Sequence, residues 1–186
     1  MDLVQEQNLV QQARKDPEAF GPLFDHYYPL ILRYIVRRVG DLAVAEDLSS
    51  EVFYKALHKL WQFRFRQLPF GAWLYRIATN EIRMHFRGKR FVHSLEWLFD
   101  EAGFDLPDDT DLQAEVRRAE TILEAHHDFL KVQEKLLALP LAYQEVLALR
   151  FFEEKKTAEI AEILGKKEGT VRVLLHRALE ALRAAL

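Results

Sequence analysis

The run TAEIAEILGKKEGTVRVLLHRALEAL, Thr157 to Leu182, constrains the fold more than any other stretch of the chain. Two strongly helical segments meet at Gly165, Lys166, Lys167 and Gly169. In the first, Ile160, Ala161 and Leu164 fall on one face. In the second, Val171, Leu174, Leu175, Ala178, Leu179 and Leu182 recur at helical period as a single apolar stripe. Gly165 can take the left-handed conformation that ends a helix. Ala161 is small where a second helix must cross closely. Two short helices, a tight glycine-bearing turn and facing apolar stripes predict a helix-turn-helix.

The residues that the stripe leaves outside carry the chemistry. At about 100° per residue, Arg172, Val173, His176, Arg177 and Glu180 are expected to face away from the core. Arg172, His176 and Arg177 can donate to guanine edges or phosphates, and Val173 can sit against a thymine methyl. An outward helix face is by default only a solvated one. Here the turn, the small residue, the stripe and the basic tip coincide, and together they point to DNA. Lys155, Lys156, Lys166 and Lys167 lie beside the starts of the two helices, where phosphates would pass.

Charge argues in the other direction. The 186-residue chain has a net charge of −3, distributed as +4 over residues 1–95, −8 over 96–125 and +1 over 126–186. Affinity for duplex DNA rests on phosphate neutralisation, so a slightly acidic chain is a poor DNA binder by itself. Either the DNA contacts are local or another protein supplies most of the affinity. The length suits one domain or two small ones. No apolar run is long enough for a membrane span. The opening MDLVQEQNLVQQARKD has no apolar signal core, so a cytoplasmic location is expected. The absence of cysteine excludes disulfides and thiolate metal sites and fits a reducing compartment.

Nearly everything outside the middle reads as helix, with no convincing strand, so the expected fold is all-α. Asp16-Pro17 reads as an N-cap with proline at the first helical position. The helix it opens carries Phe20, Leu23, Phe24 and Tyr27, and Pro29 is expected to kink or break it. Ile31, Ile35 and Val39 continue an apolar face that Gly40 stops. Asp41 can cap the next helix, which is expected to bury Ala45, Leu48, Val52, Ala56, Leu57 and Leu60. After Arg90 the pattern collapses into SLEWLFDEAGFDLPDDTD, an acidic linker by composition. Helix is expected to resume near Leu112, and Pro140 separates VQEKLLAL from LAYQEVLALRFF. The division is a first domain over residues 1–95, a linker over 96–125 and a second domain over 126–186.

The first domain carries two faces of opposite chemistry. Over Phe70 to Arg90, the residues Phe70, Trp73, Leu74, Ile77 and Ala78 form an apolar side. Arg76, Asn80, Arg83 and Arg87 recur at i, i+4, i+7 and i+11 on another, followed by Lys89 and Arg90. The preceding FRFR, Phe63 to Arg66, alternates aromatic and basic residues. Single-stranded nucleic acid offers phosphates to arginine and unstacked bases to planar groups, which suits this combination. The helix after Asp41 instead exposes Glu46, Asp47, Ser50, Glu51 and Tyr54, an acidic face suited to a basic protein surface.

Taken in order, AEDLSSEVFYKAL, FGAWLYRIATNEIRMHFR and LALPLAYQEVLALRFFEEKKTAEIAEILGKKEGTVRVLLHRALEALR resemble the extracytoplasmic-function sigma factors, the smallest class of bacterial RNA polymerase sigma subunits. The resemblance covers about residues 10–92 and 130–184 and implies a sigma domain two and a sigma domain four. By that resemblance the AEDL-type helix of the first domain docks on the clamp helices of the polymerase β′ subunit through Glu46, Asp47, Leu48, Ser50 and Glu51. It also implies that Phe63, Arg64, Arg66, Trp73, Arg76, Asn80, Arg83 and Arg87 read and melt the −10 promoter element. The second domain would read the −35 element through Lys166, Lys167, Thr170, Arg172, Val173, His176 and Arg177. The linker would thread the polymerase toward its RNA exit path. Core polymerase and promoter DNA are then the expected partners, with an anti-sigma factor holding the chain inactive, and the charge puzzle resolves because core supplies phosphate contacts. The chain departs from the family pattern in three places. Met84 stands where an Asp is frequent, Lys166 and Lys167 replace an apolar residue and a Ser cap, and Val173 replaces a polar residue.

Three other readings compete with this one. An enzyme would need machinery that is missing: none of the seven histidines sits in HExxH, there is no GxSxG, and the seven glycines form no phosphate loop. His126 and His127 are adjacent, so on a helix they diverge and make a poor metal pair; no cofactor or metal is expected. A response regulator with a similar helix-turn-helix would need a receiver or ligand domain that the helical first half does not offer. A sigma-derived interaction protein that no longer binds DNA stays open, on Lys166, Lys167 and Val173.

Overall fold

The structure, a computed structural model, describes residues 1–65, 69–89 and 129–185. All regular elements among them are helical, and the chain divides into two compact units, Met1–Lys89 and Arg90–Leu186. The expected linker over 96–125, the resumption of helix near Leu112, the pair His126 and His127, and Arg66 lie outside the described residues.

The first unit holds α1 (Leu3–Ala13), α2 (Gly21–Val39), α3 (Leu42–His58) and α4 (Phe70–Lys89). Asp2 opens α1 with a capping box, accepting from the Gln5 N–H at 2.8 Å. Asp16 accepts from the Glu18 N–H as expected, but the turn it opens is a short 3₁₀ segment, Pro17–Phe20, that runs into α2. Of the two outcomes expected at Pro29, a kink or a break, the break does not occur: α2 runs through it from Gly21 to Val39. Proline in a helix interior costs about 3 kcal/mol or more. Here Pro29 is exposed, while Leu23 and Tyr27 before it and Ile31, Tyr34 and Ile35 after it are all buried. Packing on both sides of the defect therefore outweighs it. Gly40 ends α2 at φ 73°, the left-handed cap, and Asp41 starts α3 by accepting from the Val44 N–H at 3.0 Å.

Helices α2, α3 and α4 pack against one another. Their shared core is Leu23, Ile31 and Ile35 with Ala45, Val52 and Ala56 and with Phe70, Leu74, Ala78 and Ile82. Leu48 and Leu57, expected inside, are half-buried, and Ser49 and Phe53 take the inner positions. The Ser49 hydroxyl is satisfied by donating to the Ala45 carbonyl at 2.7 Å.

The second unit holds α5 (Phe129–Ala138), α6 (Leu141–Leu147), α7 (Thr157–Leu164) and α8 (Glu168–Ala185). Helix α6 continues into a π-helical turn, Ala148–Phe152, which the sequence pattern did not announce. Helices α5, α6 and α7 all pack on α8. The buried residues of α8 are Val171, Leu174, Leu175, Ala178, Leu179 and Leu182, as the stripe predicts, together with Val173.

Candidate nucleic-acid interface

The turn between α7 and α8 has the expected geometry. Gly165 sits at φ 67° and ψ 32°, and the Lys166 N–H donates to the Ala161 carbonyl at 2.9 Å, closing α7. At the other end of α7 the Glu159 carboxylate accepts from the Lys156 N–H at 3.0 Å. Past the turn, Lys167 and Arg172 are exposed, while Lys166, Thr170, His176 and Arg177 are half-buried. Val173 departs from expectation. It is only 6% exposed, and so is not on the outward face. With three helices packed on α8, its buried arc is wider than one stripe, and Glu168, Arg172, His176 and Glu180 form a ladder at i, i+4 spacing along the side left open. Within it Arg172 Nη2 lies 3.2 Å from Glu168 Oε1 and His176 Nε2 lies 3.6 Å from Glu180 Oε1. Glu180 faces outward as expected, whereas Glu168 was not singled out from the sequence, although its i, i+4 spacing to Arg172 is a readable signal.

On α4, Arg76, Asn80 and Arg87 are exposed and Arg83 is half-buried, so the basic stripe lies along one side of the helix. Met84 stands among them, 59% exposed. The aromatic part of this candidate site is less open than expected. Phe63 is 5% exposed, with its ring centroid 5.4 Å from Phe70 and 5.1 Å from the half-buried Trp73. Alternation in FRFR therefore places its first aromatic in the core, because the turn that carries it is tied down. Arg14, the C-cap of α1, donates to the Leu60 carbonyl at 3.3 Å and to the Phe63 carbonyl, and Arg64 donates to the carbonyls of Trp61 and Phe63. Trp61, not singled out from the sequence, is instead 65% exposed.

On α3, Glu46, Asp47, Ser50 and Glu51 are exposed and Leu48 is half-buried beside them. The Ser50 hydroxyl donates to the Glu46 carbonyl at 2.9 Å. The acidic stretch continues into exposed Tyr54, whose ring lies 4.0 Å from that of His58. Between α3 and α4 the Lys55 ammonium lies 2.7 Å from Glu81 and 3.0 Å from Glu51. The Glu81 hydrogen bond is the main cause that raises the Lys55 pKa above its ordinary value.

Below α4, Glu6 of α1 is buried and accepts from the Tyr27 hydroxyl and, at 3.3 Å, from the Gly71 N–H. Burial, followed by this carboxylate, pushes the Tyr27 pKa well above the ordinary phenol range. Arg38, also buried, donates to the Tyr34 hydroxyl at 3.0 Å, which lies 2.9 Å from the Thr79 hydroxyl of α4. These buried polar contacts fix the position of α4 from its inner side. Among the described residues no group of three histidines or carboxylates is placed to hold a metal, and no helix is long and apolar enough to cross a membrane.

Two family descriptions match the chain: sigma-70 region 2 over residues 23–92 and sigma-70 region 4 over residues 129–182. The ECF RNA polymerase sigma factor BldN of Streptomyces coelicolor is 36% identical, with the alignment covering 96% of this chain and 64% of that relative. The RNA polymerase sigma-H factor of Pseudomonas aeruginosa is 34% identical over 98% of this chain and 94% of its own length. Among solved structures, CnrH, determined with the cytosolic domain of CnrY, shares the fold at a TM-score of 0.65 and 24% identity, covering 96% of this chain and 95% of that one. With both sigma regions in order along the chain, and with the ECF RNA polymerase sigma factor SigL of Mycobacterium tuberculosis 31% identical over 88% of this chain and 86% of its own length, the chain belongs to the extracytoplasmic-function sigma factors, the subunits that direct bacterial RNA polymerase to promoters.

Proposed function

We propose that this sigma factor divides its work by helix. The exposed acids of α3, Glu46, Asp47 and Glu51 with Ser50 and the half-buried Leu48, dock on a basic surface of core polymerase, the β′ clamp helices. Arg76, Asn80, Arg83 and Arg87 on α4 and Arg64 in the turn before it engage the melted −10 strand, with Trp73 at the edge of the aromatic cluster. Arg172, His176 and Arg177 on α8 read the −35 duplex, while Lys166, Lys167 and Thr170 meet the phosphates beside them. Val173 and Phe63, both buried, drop out of the reading sets.

The observation that carries the assignment is the segregation of charge. Acid is gathered on the outer side of α3, base on that of α4, and cations stand at the first exposed turns of a helix launched from a left-handed glycine. Opposed surfaces of this kind suit one protein partner and one nucleic-acid partner. The working division is residues 1–95 for docking and −10 reading, 96–125 as linker and 126–186 for −35 reading. The chain works in the cytoplasm with no cofactor and no catalytic step of its own, and an anti-sigma factor holds it in reserve.

Run-off transcription on a promoter library, with core polymerase alone and with core plus this chain, tests the assignment. Specific transcripts should appear only when the chain is present. Charge reversal at Asp47 and Glu51 should abolish them by removing core binding while helical content stays constant. Unchanged co-purification with core would remove α3 from the docking role.

A further inference from the structure

We propose that Lys55 is a positioning residue that links core docking on α3 to promoter melting on α4. The inference rests on the assignment of α3 and α4 given above and adds a residue that lies in neither contact set.

One ammonium serves two carboxylates of unequal standing. Lys55 Nζ is 2.7 Å from Glu81 Oε2 on α4 and 3.0 Å from Glu51 Oε1 one turn back on α3. The Glu81 side chain is 9% exposed and that of Glu51 is 46% exposed. A carboxylate held out of water depends on its partner, whereas an exposed one can exchange its partner for water or for another cation at small cost. Lys55 is therefore the anchor of Glu81 and only a loose companion of Glu51.

Glu81 adjoins Asn80 and stands two residues before Arg83. It points inward while Asn80 points outward, so the ion pair adds, on the α3 side, to the inner contacts that hold the rotation of α4 about its own axis and with it the aim of the basic stripe. Were Glu81 to lose Lys55, hydration would draw it toward the surface and turn the stripe away from its aim. Docking acts on the same cation from the other side. When a basic partner surface takes Glu51, Lys55 loses one of its two acceptors and commits to Glu81. Core binding then tightens the hold on the helix that must open DNA.

This arrangement makes the two activities respond with different signs. In Lys55→Met, Glu51 loses a competitor for its partner, so core affinity stays at the wild-type level or rises. Open-complex formation falls, by about five-fold or more, the lower end of ordinary coupling between sites. Lys55→Arg, which can still bridge both carboxylates, should restore most of it. Glu81→Gln, which keeps the shape and removes the buried charge, provides a second variant should Lys55→Met fail to fold by circular dichroism.

The experiment uses the full chain with bacterial core polymerase and a promoter selected by the wild-type holoenzyme from a random library. Core affinity is read by competition binding, and melting by permanganate reactivity of unpaired thymines. Retained or tighter core binding with reduced permanganate reactivity in Lys55→Met, most of that reactivity being kept in Lys55→Arg, supports the link, as does reduced reactivity in Glu81→Gln with core binding lowered less than melting, since the freed ammonium turns to Glu51. Equal losses of core binding and melting would reduce the pair to a fold-stabilising contact, and unchanged melting in all variants would end the proposal. If the wild-type chain itself neither binds core nor selects a promoter, the assignment of α3 and α4 fails first and visibly.

Discussion

Tyr27 keeps its proton where most phenols would lose it. Its folded pKa lies above the ordinary value of 10.0 because the ring is buried and its hydroxyl donates to Glu6. A group whose folded pKa is raised contributes stability that is whole below the unfolded pKa and fades as pH climbs through the interval above it. Lys55, also raised, has the same sign. Urea midpoints should therefore be level from about pH 8 to pH 10 and fall beyond, with a shallower fall in Tyr27→Phe. The absorbance difference between wild type and that variant should show tyrosinate only as the protein unfolds. Gly71 belongs to the same locus. A Cβ there would stand 2.6 Å from Cε1 of the Tyr27 ring. Alanine is the better helix former by about 1 kcal/mol, yet Gly71→Ala should destabilise by about 1–3 kcal/mol because the ring must shift and its hydrogen bond to Glu6 suffers. A stabilised Gly71→Ala in thermal melts would refute the packing argument. None of this was legible in the sequence. Glu6 sits in a polar run, and only the tertiary arrangement of α1, α2 and α4 reveals that it is inside.

At the scale of elements, the sequence was most informative where a single backbone conformation was demanded. Gly40 and Gly165 end helices in the left-handed region, and Asp41 caps α3, all as the residue types imply. It was least informative where several neighbours decide together. Pro29 stays in α2 because both flanks are packed, and Val173 is buried because α8 is covered on more than one side. Phe63 lies in an aromatic cluster because Arg14, remote in sequence, holds its turn. The reading face proposed for α8 has a definite consequence. A bidentate arginine–guanine contact carries about 1–3 kcal/mol of discrimination. Arg172→Ala and Arg177→Ala should each relax preference at one or two −35 positions in promoter selections with core, whereas Val173→Thr should leave the selected sequence unchanged. Lys167→Ala should weaken binding about evenly across sequences and lower its salt sensitivity. Selections unaltered in both arginine variants and in His176→Ala would show that α8 reads no bases.

For the whole molecule, the net charge of −3 with −8 concentrated over 96–125 limits what the isolated chain can do with DNA. Duplex affinity grows with the number of phosphates neutralised. Promoter fragments should bind the chain alone only weakly in mobility-shift assays and specifically once core is added. Tight specific binding without core would mean that this sigma factor carries its own phosphate clamp.

Each of the two units also contains one described glycine whose backbone is, in effect, of the opposite chirality: Gly40 at φ 73° and Gly165 at φ 67°. An L-alanine there pays the left-handed penalty of about 1–2 kcal/mol. A D-alanine is at home, and it narrows the unfolded ensemble, a gain of about 0.4–1 kcal/mol for such changes. Semisynthesis with the mirror-image residue thus offers an address label for calorimetry. D-Ala at 40 should raise the melting transition of residues 1–89 by a few degrees, and D-Ala at 165 that of the C-terminal unit, so each heat-absorption peak can be assigned to its own part of the chain.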